Sequence, residues 1–328
     1  MAYEDGEAPL KIQTKFFHDH SSSVITRNSS PDLSFDGSLN PYRGCEHGCA
    51  YCYARPTHEY LGFSSGLDFE SRIMVKPEAP KLLRAELMKP SYQPIKLSLS
   101  GVTDCYQPVE KKLQITRGCL EVLAEFRHPV VIITKNHLVT RDIDQLSELA
   151  RHHAVGVYLS ITSLDPKLAH ILEPRASSPQ QRLAAMRQLH DAGIPVGLSL
   201  APVIPALNDH EIPAILDAAY AAGASFASYT VVRLPFSVKH VFASWLEEHF
   251  PDRKEKVLSR IRETQGPTLS HGDFGKRLKG VGIWAEQIEQ IFRVSLQRCG
   301  LAARRRPHIS TAAFCRPSVA TPQMELDL

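Results

Sequence analysis

The chain has 328 residues, of which 43% are hydrophobic and 22% charged, and this ordinary globular composition excludes a mainly disordered, collagen-like or coiled-coil protein. Its 38 basic and 35 acidic side chains leave a net charge of +3, so net charge alone cannot drive binding to nucleic acid, although a local basic groove is not excluded. We find no secretory signal and no apolar run of about 18 residues, and the seven cysteines are too few for a disulfide scaffold. We therefore expect a cytoplasmic protein with reduced thiols and no membrane partner.

Strands and helices are predicted to alternate through the middle of the chain. Residues 1–34 are polar and aperiodic and form an N-terminal lead segment. Strands are predicted at 95–100, 130–134, 155–161, 196–200 and 226–232, with a weaker one before residue 40, and helices at 113–126, 142–152, 179–192 and 209–222. This alternation predicts parallel strands with right-handed crossovers, so we expect residues 35–235 to form a partial (β/α)6 barrel, an α/β fold. A doubly wound sheet would show the same alternation.

The alternation stops near residue 233. Helices are predicted at 238–250, 253–264 and 284–299, with a glycine-rich loop at 266–282. Residues 236–302 are therefore expected to form a C-terminal helical extension, and residues 303–328 an irregular tail.

Three of the seven cysteines fall within eight residues, with the spacing C-x3-C-x2-C. They are Cys45, Cys49 and Cys52. Thiolates select soft metals and iron–sulfur clusters, and Gly44 and Gly48 permit the sharp reversals that bring three sulfurs together. A loop this short can hold three corners of a [4Fe–4S] cluster and leave the fourth iron open. A zinc site completed by His47 or His58, or unrelated buried thiols, are the alternatives.

This loop resembles the cluster loop of the radical S-adenosylmethionine (SAM) superfamily, with Tyr51 as the aromatic residue of C-x3-C-x-aromatic-C. The resemblance implies that the three cysteines bind a [4Fe–4S] cluster and that the amino and carboxylate groups of SAM bind the open iron. One electron, from an external donor, would then cleave the sulfonium to methionine and a 5′-deoxyadenosyl radical that abstracts hydrogen.

Further stretches resemble the spore photoproduct lyase-like subgroup of that superfamily. They lie at 40–45, 101–108, 133–136, 159–162, 173–175 and 201–209. The similarity covers roughly residues 35–235. It implies a lyase that acts on DNA and repairs a thymine lesion.

Polar residues follow several predicted strands, where a βα barrel places its chemistry. Lys135 suits the methionyl carboxylate as a point charge, and Arg175 could bind a carboxylate with two hydrogen bonds or instead pair with Glu173. The alternative for each is a structural role at a strand end. The candidate cofactor-binding residues are Tyr51, Thr103, Asp104, Lys135, Ser160 and Arg175.

Cys105 is the candidate catalytic residue, because a thiol beside Asp104 could return a hydrogen atom to a substrate radical. Photoproduct lyases use a cysteine in this general region, but theirs precedes the polar pair and Cys105 follows it. A buried, inert cysteine is the alternative.

Two features bear on partners. Basic residues at 253–262, 276–279 and 304–306 could follow the phosphates of a nucleic acid, or could form a solvated surface. Residues 323–328 fit Q-x-x-L-x-L and resemble the peptide with which repair polymerases engage the sliding clamp; the alternative is a tail docked on its own barrel.

Three functions follow: radical chemistry on a DNA lesion, radical modification of a protein, RNA or small molecule, or a cluster-based redox sensor or carrier.

Overall fold

Short runs of β-branched residues and leucine form the strands of two sheets in the computed structural model, which describes residues 13–304 and 307–317. The strands are β1 (Lys15–His18), β2 (Ile25–Arg27), β3 (Gly37–Leu39), β4 (Tyr42–Arg43), β5 (Arg72–Val75), β6 (Leu97–Leu99), β7 (Val130–Thr134), β8 (Val155–Ser160), β9 (Val196–Val203) and β10 (Phe226–Val231).

The larger sheet has the strand order β10-β9-β8-β7-β6-β3-β2. Every pair of adjacent strands from β3 to β10 is parallel, and β2 pairs antiparallel with β3. The parallel strands follow one another in chain order, whereas a doubly wound sheet reverses its order at a switch point. The molecule therefore has a mixed α/β fold with a parallel sheet that is not doubly wound over the described residues.

Helices lie between and after these strands in the chain. They are α1 (Leu67–Ser71), α2 (Ala79–Met88), α3 (Glu110–Leu113), α4 (Ile115–Glu125), α5 (Ile143–Arg151), α6 (Pro166–Leu172), α7 (Pro179–Asp191), α8 (Ile212–Ala221), α9 (Val238–His249), α10 (Lys254–Gln265) and α11 (Gly282–Arg298). Gly193 and Gly223 have φ values of 75° and 97°, as expected for glycines that follow a helix. Gln114, at φ 54°, separates α3 from α4, so the helix predicted at 113–126 begins at Ile115 instead. Among the described residues, every helix is too short or too polar to span a lipid bilayer.

Several short elements escaped prediction. A second sheet has the order β1-β5-β4, and its strand β1 lies within the predicted lead segment, as does β2. These strands have only two to four residues, too few for alternation to be visible. Helices α2 and α6 were also missed.

The three C-terminal helices pack in two different places. Ile288 and Phe292 of α11 join the main hydrophobic core. Phe242 and Trp245 of α9 lie in a second hydrophobic group that includes Tyr51 of the cysteine loop. Helices α9 and α10 therefore cover the cysteine loop, while α11 supports the sheet.

Residues 307–317 pass across the amino ends of β7 and β8. The Ser310 amide donates to the His153 carbonyl (2.9 Å). The ring of Phe314 lies 6.0, 6.2 and 5.7 Å from the rings of Tyr92, Phe126 and His128. The C-terminal segment is thus attached at the end of the sheet remote from the cysteine loop, which follows the carboxyl end of β3.

His128 makes the stability of this end of the sheet dependent on pH. Burial lowers the pKa of His128 from 6.5 to about 4, and its ring bonds to the Tyr92 hydroxyl (2.8 Å). In the unfolded chain His128 binds a proton below about pH 6.5, whereas in the folded chain it does so only below about pH 4. The free energy of unfolding therefore decreases as the pH falls from 6.5 to 4. At about 1.4 kcal/mol per pH unit, the loss reaches about 3 kcal/mol. Urea unfolding between pH 7 and pH 4 should show it, and H128Q should flatten the profile; a slope as steep as that of the wild type would contradict this origin.

Candidate functional site

The three predicted cluster ligands lie together on one loop between β4 and the first helical turn after it. Cys45 and Cys49 are buried, Cys52 is half-buried, and all three are free thiols. Gly44 and Gly48 have φ values of 80° and 68°, which confirms the predicted reversals on either side of Cys45.

A buried arginine holds this loop from one side. The guanidinium of Arg55 donates to the carbonyl oxygens of Cys49 (3.0 Å) and Gly48 (3.1 Å). It also donates to the carbonyls of Ser65 (3.1 Å) and Gly66 (2.7 Å). Arg55 was not among the predicted site residues, yet it fixes the backbone that carries the second cysteine.

The segment after β6 holds the loop from the other side. Thr103 Oγ1 donates to the Gly44 carbonyl (2.6 Å), and the Glu46 amide donates to Gln107 Oε1 (2.9 Å). In return, Glu46 Oε2 accepts from the Val109 amide (2.6 Å). Thr103, predicted to bind cofactor, bonds the loop backbone in this structure.

The donor set suits an iron–sulfur cluster. Burial raises the pKa of Cys49 and of Cys52, and the negative charge of Glu173 raises that of Cys49 further. Bound iron would oppose this effect, because a metal requires the thiolate form. In a cube-shaped cluster each thiolate binds a different iron. No three His, Cys, Asp or Glu side chains of the described chain are placed to hold a single metal ion.

A side chain at Gly48 would meet the charged ends of two other side chains. A Cβ there would lie 2.1 Å from Glu70 Oε2 and 2.9 Å from Arg175 Nη2. We expect G48A to lose part of its bound iron after anaerobic reconstitution, because the added methyl group displaces the Glu70 carboxylate and the Arg175 guanidinium, whose hydrogen bonds secure the cysteine loop. G62A is the matched control: Gly62 has a φ of 77° but open space around its Cβ position, so it should keep its iron at a cost of about 1–2 kcal/mol in stability. Equal iron content in both variants would show that the loop tolerates displacement.

Asp104 links two strand ends to the cysteine loop. It accepts from Thr134 Oγ1 (2.8 Å) and from the Lys135 amide (2.8 Å), and its Oδ2 lies 3.4 Å from His47 Nδ1. Although burial alone would raise the pKa of Asp104, the charge of His47 and these hydrogen bonds lower it to about 2. Burial alone would lower the pKa of His47, but Cys45 and Asp104 raise it to about 10.

Lys135 and Tyr51 meet behind the loop. Lys135 Nζ lies 5.9 Å from the centre of the Tyr51 ring and donates no hydrogen bond within the described residues. The Tyr51 hydroxyl donates to Glu173 Oε1, which also accepts from Thr162 Oγ1 (2.6 Å). Burial alone would lower the pKa of Lys135, but Glu173 and Cys49 raise it. The ammonium group is therefore charged and has capacity for an anionic ligand.

Glu173 belongs to a buried ion pair. Its Oε2 lies 2.5 Å from Arg182 Nη2, and neither side chain is more than 2% exposed. Arg182 also donates to the carbonyls of Ser160 (2.9 Å) and Ser177 (2.7 Å). The Ser160 hydroxyl, a predicted cofactor contact, donates to the Ala201 carbonyl (3.1 Å) of the next strand.

Arg175 lies on the outer side of the cysteine loop. It donates to Glu70 Oε2 (2.9 Å) and to the Glu46 carbonyl. The alternative expectation of an ion pair with Glu173 is therefore wrong: Arg175 does secure the loop, but Glu70 is its partner because Glu173 points to Arg182.

Cys105 lies in the main hydrophobic core and is fully buried. Its Sγ is 3.8 Å from the Leu99 carbonyl, and burial raises its pKa well above the usual value. Asp104, the preceding residue, faces the cysteine loop. The hydrogen-donor role of Cys105 stays a prediction.

The structure describes only part of the basic surface and of the C-terminal tail, the two features that predicted macromolecular partners. Lys254 pairs with Glu247 (2.6 Å), and Arg277 pairs with Asp32 (2.7 Å), so part of the basic surface is neutralised. Residues 305–306 and the clamp-like sequence 323–328 lie outside the described residues. Binding to nucleic acid and to a sliding clamp therefore stays a prediction.

The sequence profile of the Radical SAM superfamily matches residues 39–219. An uncharacterized protein of Mycobacterium tuberculosis is 36% identical over 72% of this chain and 70% of the relative. One of Methanocaldococcus jannaschii is 28% identical over 68% of this chain and 79% of the relative. The solved spore photoproduct lyase complexed with dinucleoside spore photoproduct has a TM-score of 0.62 at 17% identity, covering 86% of this chain and 78% of that chain. This last similarity shows a shared fold.

Proposed function

Because this chain belongs to the radical SAM superfamily, we propose that it cleaves SAM reductively and starts hydrogen abstraction on a DNA lesion. The observation that supports this most strongly is the loop of three free thiols, which is fixed on both sides and lies beside the charged ammonium of Lys135. The family match confirms the resemblance to the superfamily, whose cofactors are a [4Fe–4S] cluster and SAM.

The chain's own residues would hold both cofactors at the carboxyl ends of the strands. Cys45, Cys49 and Cys52 would bind three irons, since they are the cysteines gathered on the fixed loop. When bound, the cluster supplies the electron that splits SAM into methionine and a radical able to take hydrogen from a substrate. Lys135 would bind the methionyl carboxylate, because its ammonium is charged and free of hydrogen bonds within the described residues.

The same proposal includes the barrel architecture, the substrate and the cellular location. The six parallel strands in chain order support a partial (β/α)6 barrel that opens at the cysteine loop. A DNA lesion is the first substrate to test because the lyase of the same fold was solved with a dinucleoside spore photoproduct. Seven free cysteines support a cytoplasmic, reducing location, with an external electron donor.

Product analysis tests this function. Protein reconstituted without oxygen should convert SAM to 5′-deoxyadenosine and methionine on reduction with dithionite, and should restore thymine in DNA that carries spore photoproduct. SAM cleavage without repair would refute a DNA lesion as the substrate and favour a protein, an RNA or a small molecule. A reducible cluster that never cleaves SAM would refute the enzyme and favour the redox or sensor function.

A further inference from the structure

The loop that follows β10 brings an arginine onto an aromatic ring beside the cluster loop. The guanidinium carbon of Arg233 lies 4.8 Å from the centre of the Tyr53 ring. Tyr53 directly follows Cys52, and its hydroxyl donates to the Gly101 carbonyl (2.7 Å), which fixes the ring. The ring is 48% exposed. Arg233 and Tyr53 therefore lie at the border between the site and solvent.

The Arg233 guanidinium contacts no anionic group in the part of the chain that the structure describes. Across residues 13–304 and 307–317 it makes no hydrogen bond and no ion pair, although it is half-buried. Burial lowers its pKa, and the positive charge of Arg277 adds to this effect. The nearby carboxylate, Asp32, is already bonded to Arg277 (2.7 Å). Positive charge is thus in excess here, and an anionic ligand would relieve it.

Two strongly exposed aromatic side chains lie on adjoining segments: Phe236 is three residues after Arg233, and Tyr60 is in the helical turn after the cysteine loop. Phe236 is 76% exposed and Tyr60 is 90% exposed. The residues beside them are joined, because Ser237 Oγ donates to Glu59 Oε1 (2.5 Å). Phe236 also has a φ of 52°, which is rare for a bulky residue and persists only where the surroundings impose it. Core packing does not explain a ring so exposed.

We propose that the aromatic rim, defined as Tyr53, Tyr60, Arg233 and Phe236, binds an unpaired stretch of a nucleic-acid strand. Tyr60 and Phe236 stack on bases, whose faces are accessible only when the bases are unpaired. Arg233 binds a phosphodiester through its fork of N–H donors. This inference rests on the proposed function, since the rim would present the strand to the cluster loop.

Anisotropy titration of the cluster-loaded protein tests the rim, with a labelled oligothymidylate of about 12 nucleotides, within the usual site size. F236G should weaken binding about 5- to 150-fold, the range for loss of one base stack. Glycine adopts a positive φ without strain, so F236G should keep or raise the melting temperature. R233M should weaken binding and reduce the salt dependence by about one phosphate contact.

Two controls locate the binding. K256M removes an exposed charge on α10 and should leave oligothymidylate affinity unchanged. If K256M weakened binding as much as R233M does, the binding site would lie on α10 and the proposed role of the aromatic rim would be refuted. An abasic oligomer of the same length should bind more weakly than oligothymidylate and be insensitive to F236G. Equal binding of the abasic oligomer would refute stacking. Oligouridylate shares the base and phosphate, so its relative affinity tells whether the strand is DNA or RNA.

Failure of the rim and failure of the proposed function give different results. Formation of 5′-deoxyadenosine without any oligonucleotide binding would refute the rim and leave the SAM chemistry intact. Oligonucleotide binding that depends on Arg233, without SAM cleavage, would support the rim and refute the enzyme. If R233M weakens SAM binding and leaves oligothymidylate affinity unchanged, Arg233 holds the SAM carboxylate and the rim is refuted.

Discussion

C49A is expected to abolish reductive SAM cleavage and to lose the absorbance and iron of the cluster. Cys49 is one of only three thiols on the loop, and its carbonyl is fixed by Arg55, so no other cysteine of the described loop can take its place. Loss of a residue that merely supports a metal ligand costs about 10- to 100-fold in affinity or activity. Loss of the ligand itself should exceed this and bring SAM cleavage to background. Iron analysis and 5′-deoxyadenosine formation measure the two effects.

C119A is the matched control for this variant. Cys119 is also a free, fully buried cysteine, but it lies on α4 in the main core. Its replacement should reduce stability through the lost packing and leave iron content unchanged. If C119A lost its iron while C49A retained it, the ligand assignment would be wrong.

E173A is expected to lower the free energy of unfolding by about 3–5 kcal/mol, the usual cost of leaving a buried charge without its partner. The variant leaves the Arg182 guanidinium buried without its partner, because this group lies 2.5 Å from the Glu173 carboxylate and is only 2% exposed. It also removes the acceptor of the Tyr51 and Thr162 hydroxyl groups. Urea unfolding under anaerobic conditions measures the loss.

E148A shows what an exposed ion pair contributes. Glu148 lies 2.6 Å from Arg151, but their side chains are 41% and 74% exposed, so water screens the pair and the change should leave the free energy of unfolding nearly unchanged. E173Q keeps the shape and part of the hydrogen bonding of Glu173 and should fall between the two. A cost below about 1 kcal/mol for E173A would mean that water or a rearranged side chain reaches Arg182.

The sequence predicted those parts of the fold that local pattern determines. Strand β7 is a continuous apolar run, buried on both faces, and its bounds were predicted as observed. Gly193 and Gly223 marked two helix ends because a left-handed residue there favours glycine. The cysteine spacing indicated the cluster loop because a short loop must supply all three ligands.

Contacts between distant segments could not be predicted in this way. Arg55 belongs to a residue type that is usually exposed, and nothing local shows that four carbonyl groups surround it. Thr103 was assigned to the cofactor because it follows a strand, but only the fold reveals that its hydroxyl bonds Gly44. Arg182 did carry a signal: it lies three, four and seven residues before buried Ala185, Met186 and Leu189, on the apolar face of α7.

The most direct test of the central claim is an electron paramagnetic resonance spectrum of the reduced, anaerobic protein before and after addition of SAM. The account predicts a [4Fe–4S] signal in the wild type, a change in its g-values on SAM addition, and no signal in C49A. A spectrum that SAM leaves unchanged at saturating concentration, or a cluster signal that survives in C49A, would contradict it.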